Sequence, residues 1–187
     1  MKAVLMSIKP KGCELIAKGK KTKDLKKTAP ALKTPFKCYI YCTKDELLTK
    51  SHYNGGLYVT HNKKSKSALE RAGNITFSGK VIGEFVCDRI EEISCYINAS
   101  GHNEYLLDDT LLSCFKLSYV EFYDYLNGED GYGWHISELK IYDEPKELSE
   151  FISNTEPKFI HHKDGSITAI GIGITRPPQS WCYVEEL

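Results

Sequence analysis

The residues best suited to chemistry in this chain crowd together near its start. Lys20, Lys21, Lys23, Lys26 and Lys27 follow the turn glycine Gly19, with a single acid, Asp24, set among them. Like charges at this density repel one another, and a phosphate or another polyanion would relieve that repulsion. The same run also reads as a solvated, positively charged turn. Farther along, Trp134 offers an indole on which a base could stack and His135 an imidazole for donation or proton transfer. Strand alternation sends these two side chains to opposite faces, so one of them is structural.

Other candidates are weaker. Cys182 could act as a nucleophile with His135, yet nothing beside it in sequence would depress a thiol pKa. His161 and His162 flank a hairpin turn, where neighbouring strand residues diverge, which disfavours a metal pair. The seven cysteines are scattered without a C-x-x-C pair, and Cys38 and Cys42 share one face of a strand where they pack. No metal and no cofactor are expected. Free cysteines in odd number suit a reducing cytosol.

Charge is divided along the chain. Residues 1–80 hold 18 Lys/Arg against 5 Asp/Glu and residues 81–187 hold 7 against 20, so a net of +13 faces a net of −13. The first part could meet a polyanion, whereas the neutral whole excludes indiscriminate coating of nucleic acid beyond a Debye length of roughly 8 Å. With 41% hydrophobic and 27% charged residues the 187-residue chain has the composition of a folded protein, and one domain is expected over residues 1–187. No apolar run reaches the roughly 20 residues of a membrane span and no secretory leader is visible, so a soluble cytoplasmic protein without membrane partners is expected.

Local signals place elements around these residues. Ala3 to Ile8 reads as a buried strand; Pro10 then starts a helix that ends near Lys18 with Gly19 as its cap. Thr22 to Lys27 reads as a second strand, Ala29 to Pro35 as a loop between prolines, and Phe36 to Thr43 as a core strand. Lys44 to Gly73 is polar and lysine-rich, with Asn54-Gly55-Gly56 as a turn and Lys63-Lys64-Ser65-Lys66 as a basic cluster, and reads as a long mobile excursion. Phe77 to Ile93 alternates like one long strand that Gly79 and Gly83 could bend. Ser118 to Glu121 is a capping box that opens a helix running to about Gly128. Trp134 to Tyr142 reads as a strand, Phe159 to Thr175 as a hairpin turning at Asp164-Gly165, and Trp181 to Val184 as a last strand. Five to seven strands with two or three short helices, lacking a βαβ rhythm, fit an α+β fold: a small, mostly antiparallel β-barrel with peripheral short helices.

Ile8-Lys9-Pro10 after an apolar strand, then a helix, then Gly19-Lys20-Lys21-Thr22 resembles the start of ASCH domains, whose pattern is I-[KR]-P followed by G-x-K-[TS]-x-E-x-R. Gly133-Trp134-His135-Ile136 and the run from Pro177 to Tyr183 look like segments of phage-type and gut-bacterial ASCH proteins. The resemblance covers most of the chain and leaves residues 44–73 and 155–175 as insertions. It implies a PUA-like barrel with a cleft that binds RNA or a modified nucleotide, with Lys9, Lys21, Asp24 and Lys26 on one wall and Trp134 or His135 on the other. Asp24 replaces the family Glu and Lys26 the family Arg, so position 26 becomes a point charge without a bidentate fork.

Small bacterial ASCH proteins that hydrolyse N4-acetylcytidine with a Lys, a Thr and a Glu give an alternative. By that likeness Lys21 is the base of an amidohydrolase, Asp24 stands where the Thr is expected, and Glu121 is the carboxylate left to serve as acid. A third possibility is a phage or host interaction module that captures an acidic protein through residues 44–73.

Overall fold

A computed structural model describes residues 1–51, 55–60, 66–71, 74–162, 164 and 166–187. The chain opens with strand β1 (Lys2–Ile8), helix α1 (Pro10–Ala17), β2 (Lys23–Lys26) and β3 (Phe36–Cys42). Pro10 sits in the first turn of α1, and Gly19, at φ +65°, takes the left-handed conformation that ends it. The middle of the chain forms β4 (Leu47–Lys50), β5 (Leu57–Thr60), α2 (Lys66–Arg71), β6 (Val81–Cys87), β7 (Ile90–Ile93), β8 (Cys95–Ile97) and β9 (Asn103–Tyr105). Two short helices follow, α3 (Asp109–Phe115) and α4 (Tyr119–Leu126). The chain closes with β10 (Gly131–His135), β11 (Ser137–Lys146), a 3-10 turn (Leu148–Glu150), β12 (Ile152–His161), β13 (Ile167–Gly173) and β14 (Trp181–Glu185).

Seven strands form the main sheet in the order β11-β6-β3-β1-β14-β12-β13. β1 and β3 run parallel, Val4 opposite Cys38; the other neighbours are antiparallel. β1 lacks alternation because it is buried on both faces. Val4, Met6 and Ile8 enter the larger core with α1, β3 and Trp134, while Ala3 and Leu5 face Phe151 and Val184 in a second cluster. A three-stranded sheet, β2-β10-β7, packs against the larger core with one face and holds α3 and α4 on the other through Leu25, Ile93, Phe115 and Phe122. The fold is therefore α+β, with a large mostly antiparallel sheet and peripheral helices.

Several expectations change. Among the described residues the main sheet ends at β11 and β13 without closing on itself, so the mostly antiparallel barrel read from the sequence is seen as one large sheet and a smaller one. The stretch 77–93 divides: β6 belongs to the main sheet and β7 to the small one, although the alternation runs on across Asp88-Arg89. The stretch 134–142 divides in the same way at Ile136, whose amide donates to the Thr22 carbonyl between β10 and β11. More strands exist than the sequence pattern counted, because β4, β5, β8 and β9 are only three or four residues long. Helix α3, also missed, is capped by Asp108, whose carboxylate accepts from the Leu111 amide.

In the stretch read as a long excursion, β4 and β5 form a hairpin, and Leu48 and Leu57 are buried in the core. Asn54, Lys63, Lys64 and Ser65 lie outside the described residues, as does Gly165 of the other turn. The hairpin of β12 and β13 is present and begins at Ile152, earlier than expected. The capping box at Ser118 and Glu121 is formed as read.

Gly83 on β6 stands between Ile40 of β3 and Ile141 of β11. A methyl group there would stand 2.4 Å from the Lys140 carbonyl oxygen and 3.1 Å from the Ile141 backbone. Gly83→Ala should therefore destabilise the fold by about 1–3 kcal/mol, seen as a lower urea midpoint with an unchanged far-ultraviolet spectrum at low denaturant.

Candidate functional site

Strand β2 reads Lys-Asp-Leu-Lys and is buried at all four positions. It is fixed at one end by the turn after α1, where the amides of Lys20 and Lys21 donate to the Leu15 carbonyl and the Thr22 amide donates to the Cys114 carbonyl. Along its length it pairs with β10, Asp24 opposite Trp134 and Lys26 opposite Tyr132. Alternation points Leu25 at Phe115 and Phe122, and turns Asp24 and Lys26 toward the larger core beside Trp134.

There Asp24 lies between two ammoniums. Lys21 Nζ is 2.8 Å from Oδ1 and Lys26 Nζ is 2.9 Å from Oδ2, with side-chain exposures of 10% and 6% for the lysines and 7% for the aspartate. Lys26 also donates to the Ser7 carbonyl at 3.4 Å, tying the small sheet to β1. Burial alone would push the Asp24 carboxyl up; the ammoniums of Lys21 and Lys26 together outweigh it and hold it at about 2. Two cations on one anion leave the cluster with one positive charge in excess.

The C-terminal segment closes this place. Ser7 donates from Oγ to the Pro178 carbonyl at 2.6 Å and from its amide to the Ser180 carbonyl at 2.9 Å. Trp181 Nε1 donates to Thr28 Oγ1 at 3.0 Å, and its ring packs against Trp134 with centroids 5.8 Å apart. Asp24 Oδ2 is held by the Lys26 ammonium at 2.9 Å, and the buried Trp134 Nε1 has no hydrogen-bond partner among the described residues. The nearby thiols of Cys13 and Cys38 are pushed up by burial, and Cys87 is pushed up to about 12 for the same reason, so they form neutral walls. No group of three or more potential metal ligands occurs among the described residues.

The sequence candidates separate here. Lys21, Asp24 and Lys26 are brought together. Lys9 is exposed at the start of α1 and makes no ion pair with Asp24 among the described residues. Trp134 was expected as a stacking platform; it is fully buried against Phe36 and Trp181, which makes it core. His135 lies opposite Lys23 on the other face of the sheet, with Nδ1 2.6 Å from Asp88 Oδ1, so it faces away from Asp24. That bond holds the Asp88 carboxyl below its usual range. Glu121 is exposed and engaged as the cap, its Oε2 accepting from the Ser118 amide and hydroxyl, both at 2.8 Å.

Two contributors were missed. Ser7 gave no sequence signal, since its role depends on Pro178 and Ser180 at the far end of the chain. Tyr125 on α4 had one: only one of Tyr123 and Tyr125 can face the satellite core, and Tyr123 takes that place beside Tyr105 and Tyr119. Tyr125 is left half-exposed, its phenol pushed up by burial and then by the charge of Asp24. Lys27, donating to the Leu126 carbonyl at 3.4 Å, tethers that end of α4 to β2.

The remaining basic residues are not one open patch. Lys23 pairs with Glu91, Lys27 with Glu129, Lys37 with Glu84 and Glu186, Lys50 with Asp143 and Lys80 with Glu147. The basic first part is thus partly neutralised by the acidic second part. Shallow depressions of about 580 and 500 Å³ lie on the α3 side of β2, the first lined by Lys23, Leu107 and Leu111, the second by Lys20, Thr22 and Lys116.

Among the described residues no helix is long and apolar enough to cross a membrane. No family model and no curated protein matches the sequence. Among solved structures the chain is similar to ASCH from Zymomonas mobilis, at 16% identity and a TM-score of 0.49, over 98% of this chain and 88% of that one. Two point variants of that protein match at 18% and 15% identity, with TM-scores of 0.48 and 0.47, over 91% and 98% of this chain and 91% and 89% of theirs. Likeness this distant leaves the functional argument to the residues.

The charge cluster has measurable consequences for stability. Replacing Asp24 by Asn strands two nearly buried ammoniums and should cost about 3–5 kcal/mol in a denaturant titration. Because the folded-state pKa of Asp24 is depressed, to about 2 from 3.8, its contribution of about 2 kcal/mol is fully present above pH 4 and is lost as pH falls toward 2. The acid-induced fall in stability should therefore be shallower in Asp24→Asn than in the wild type.

Proposed function

We propose that this chain is an ASCH-like domain that binds RNA or a nucleotide-like ligand through the Lys21–Asp24–Lys26 cluster. The observation that carries the proposal is the excess positive charge in a place nearly closed to water. Coulomb attraction for a phosphate is stronger there than on an open surface, because less solvent screens it. Lys26 is a compact ammonium, so it attracts an anion without the bidentate geometry an arginine would impose.

Discrimination would come from Asp24, whose carboxylate, already held by Lys21 and Lys26, would accept from a base or sugar donor. Trp134, opposite Asp24 in the ladder, is fully buried and forms the wall behind the carboxylate. The order Ile8-Lys9-Pro10 and Gly19-Lys20-Lys21-Thr22 supports the family reading, as does the run from Pro177 to Tyr183.

Amide hydrolysis fits less well. Lys21 is committed to Asp24 as an ion pair, Glu121 is committed to its cap, and position 24 has no hydroxyl. Capture of an acidic protein by residues 44–73 would depend on Lys63 and Lys64, which lie outside the described residues.

Titration of labelled single-stranded RNA and of nucleoside monophosphates at several salt concentrations tests the proposal. The triple variant Lys21→Met, Asp24→Asn, Lys26→Met removes both signs of charge together and so strands no lone carboxylate. It should bind at least ten times more weakly and flatten the log–log salt dependence for RNA by about 1, while Lys9→Ala stays close to wild type. Unchanged affinity and unchanged salt dependence in the triple variant would refute the binding role. Turnover of N4-acetylcytidine, abolished by Lys21→Ala, would move the same cluster to the amidohydrolase class.

A further inference from the structure

The main sheet ends in two edges of opposite character. At one end β11 carries Glu138, Lys140, Asp143, Glu144, Pro145 and Lys146, and its register with β6 shifts twice. Charges and a proline both discourage a further strand from adding; a register shift is common to both ends, since the β12–β13 ladder also shifts, between Ser153 and Lys158. At the other end β13, Ile-Thr-Ala-Ile-Gly-Ile-Gly, has no charge and no proline. Within the same hairpin β12 includes Glu156, Pro157 and Lys158, so the unguarded side is β13 alone.

The hairpin also extends past its support. β12 meets β14 at one register pair, Ser153 with Val184, and beyond it Lys158–His161 and Ile167–Ile170 pair only with each other among the described residues. Phe159, Ile160, Ile167 and Ile170 are all exposed on this ribbon. Two strands alone are marginal in water, whereas a sheet of three or more with an apolar face is stable.

We propose that β13 is a pairing edge through which two copies of this chain associate about a two-fold axis at Ile170. Backbone geometry singles out that register. The His162 amide donates to the Ser166 carbonyl and the Ile174 amide to the Phe151 carbonyl. Alternation inward from both points directs the amides of even-numbered residues toward β12 and those of Ile167, Ala169, Gly171 and Gly173 outward. An axis at Ile170 sets these four against one another, Ile167 with Gly173 and Ala169 with Gly171 of the second copy, for about eight hydrogen bonds.

The side chains agree with the same axis. Ile170 meets Ile170 and Thr168 meets Ile172 on one face, and Gly173 stands opposite Ile167 on the other, so no like charges meet. Beyond the strand ends the symmetry carries exposed Asp164 of one copy toward exposed Arg176 of the other, an opposite-charge pair. An isologous contact of this kind closes at two copies.

Sedimentation velocity on the full chain tests the proposal. The wild type should sediment as a dimer and Ile170→Lys, which sets two ammoniums against each other on the axis, as a monomer. Ile97→Lys, an exposed apolar position on β8, should leave the dimer intact. Amide exchange across 167–173 should slow as wild-type concentration rises and should not in Ile170→Lys. Arg176→Glu, outside the strand, should weaken the dimer several-fold. A monomeric wild type overturns the proposal, as does a dimer that survives Ile170→Lys; unaltered association in Arg176→Glu overturns the register.

Discussion

The pairing of Asp24 with Lys21 and Lys26 is the constraint on which the junction of the two sheets depends. It lies where the small sheet meets the main sheet, and Lys26 extends it to the Ser7 carbonyl of β1. Burying three charges is unfavourable unless each has a close counter-charge, so the positions of β2, β1 and the turn after α1 are fixed relative to one another. The burial that makes this expensive also makes the surplus positive charge strong, because water and salt screen it poorly.

Around that cluster the two ends of the chain converge. Ser7 holds Pro178 and Ser180, and Thr28 holds Trp181, across more than 150 positions of sequence. Trp134 completes the wall from β10, its ring against Trp181 and Phe36. The aromatic residue that stays open lies on α4: Tyr125, close enough to feel the charge of Asp24.

Charge segregation along the chain has a structural meaning. Lysines of the first part meet carboxylates of the second at Glu84, Glu91, Glu129, Asp143, Glu147 and Glu186. Exposed pairs of this kind are each worth little in stability. Neutralising neighbouring lysines leaves the one-charge excess of the Lys21–Asp24–Lys26 cluster as a local feature instead of part of a broad positive field.

Much of the local structure was legible in the sequence. Pro10 and Gly19 bound α1, Ser118 and Glu121 start α4, and the β-branched and aromatic run from Phe36 makes β3, because caps and propensities act within a few residues. The density of lysines around Asp24 was legible for the same reason. Tertiary structure decided that these lysines are buried with their aspartate and that Trp134 is core. It also turned His135 away toward Asp88 and divided residues 77–93 and 134–142 between two sheets. An alternating pattern reports which residues share a face and is silent on which sheet receives them, since that choice rests on pairing between distant strands. The role of Ser7 was invisible for that reason: its partners stand at the opposite end of the chain, and only folding brings them within hydrogen-bonding distance.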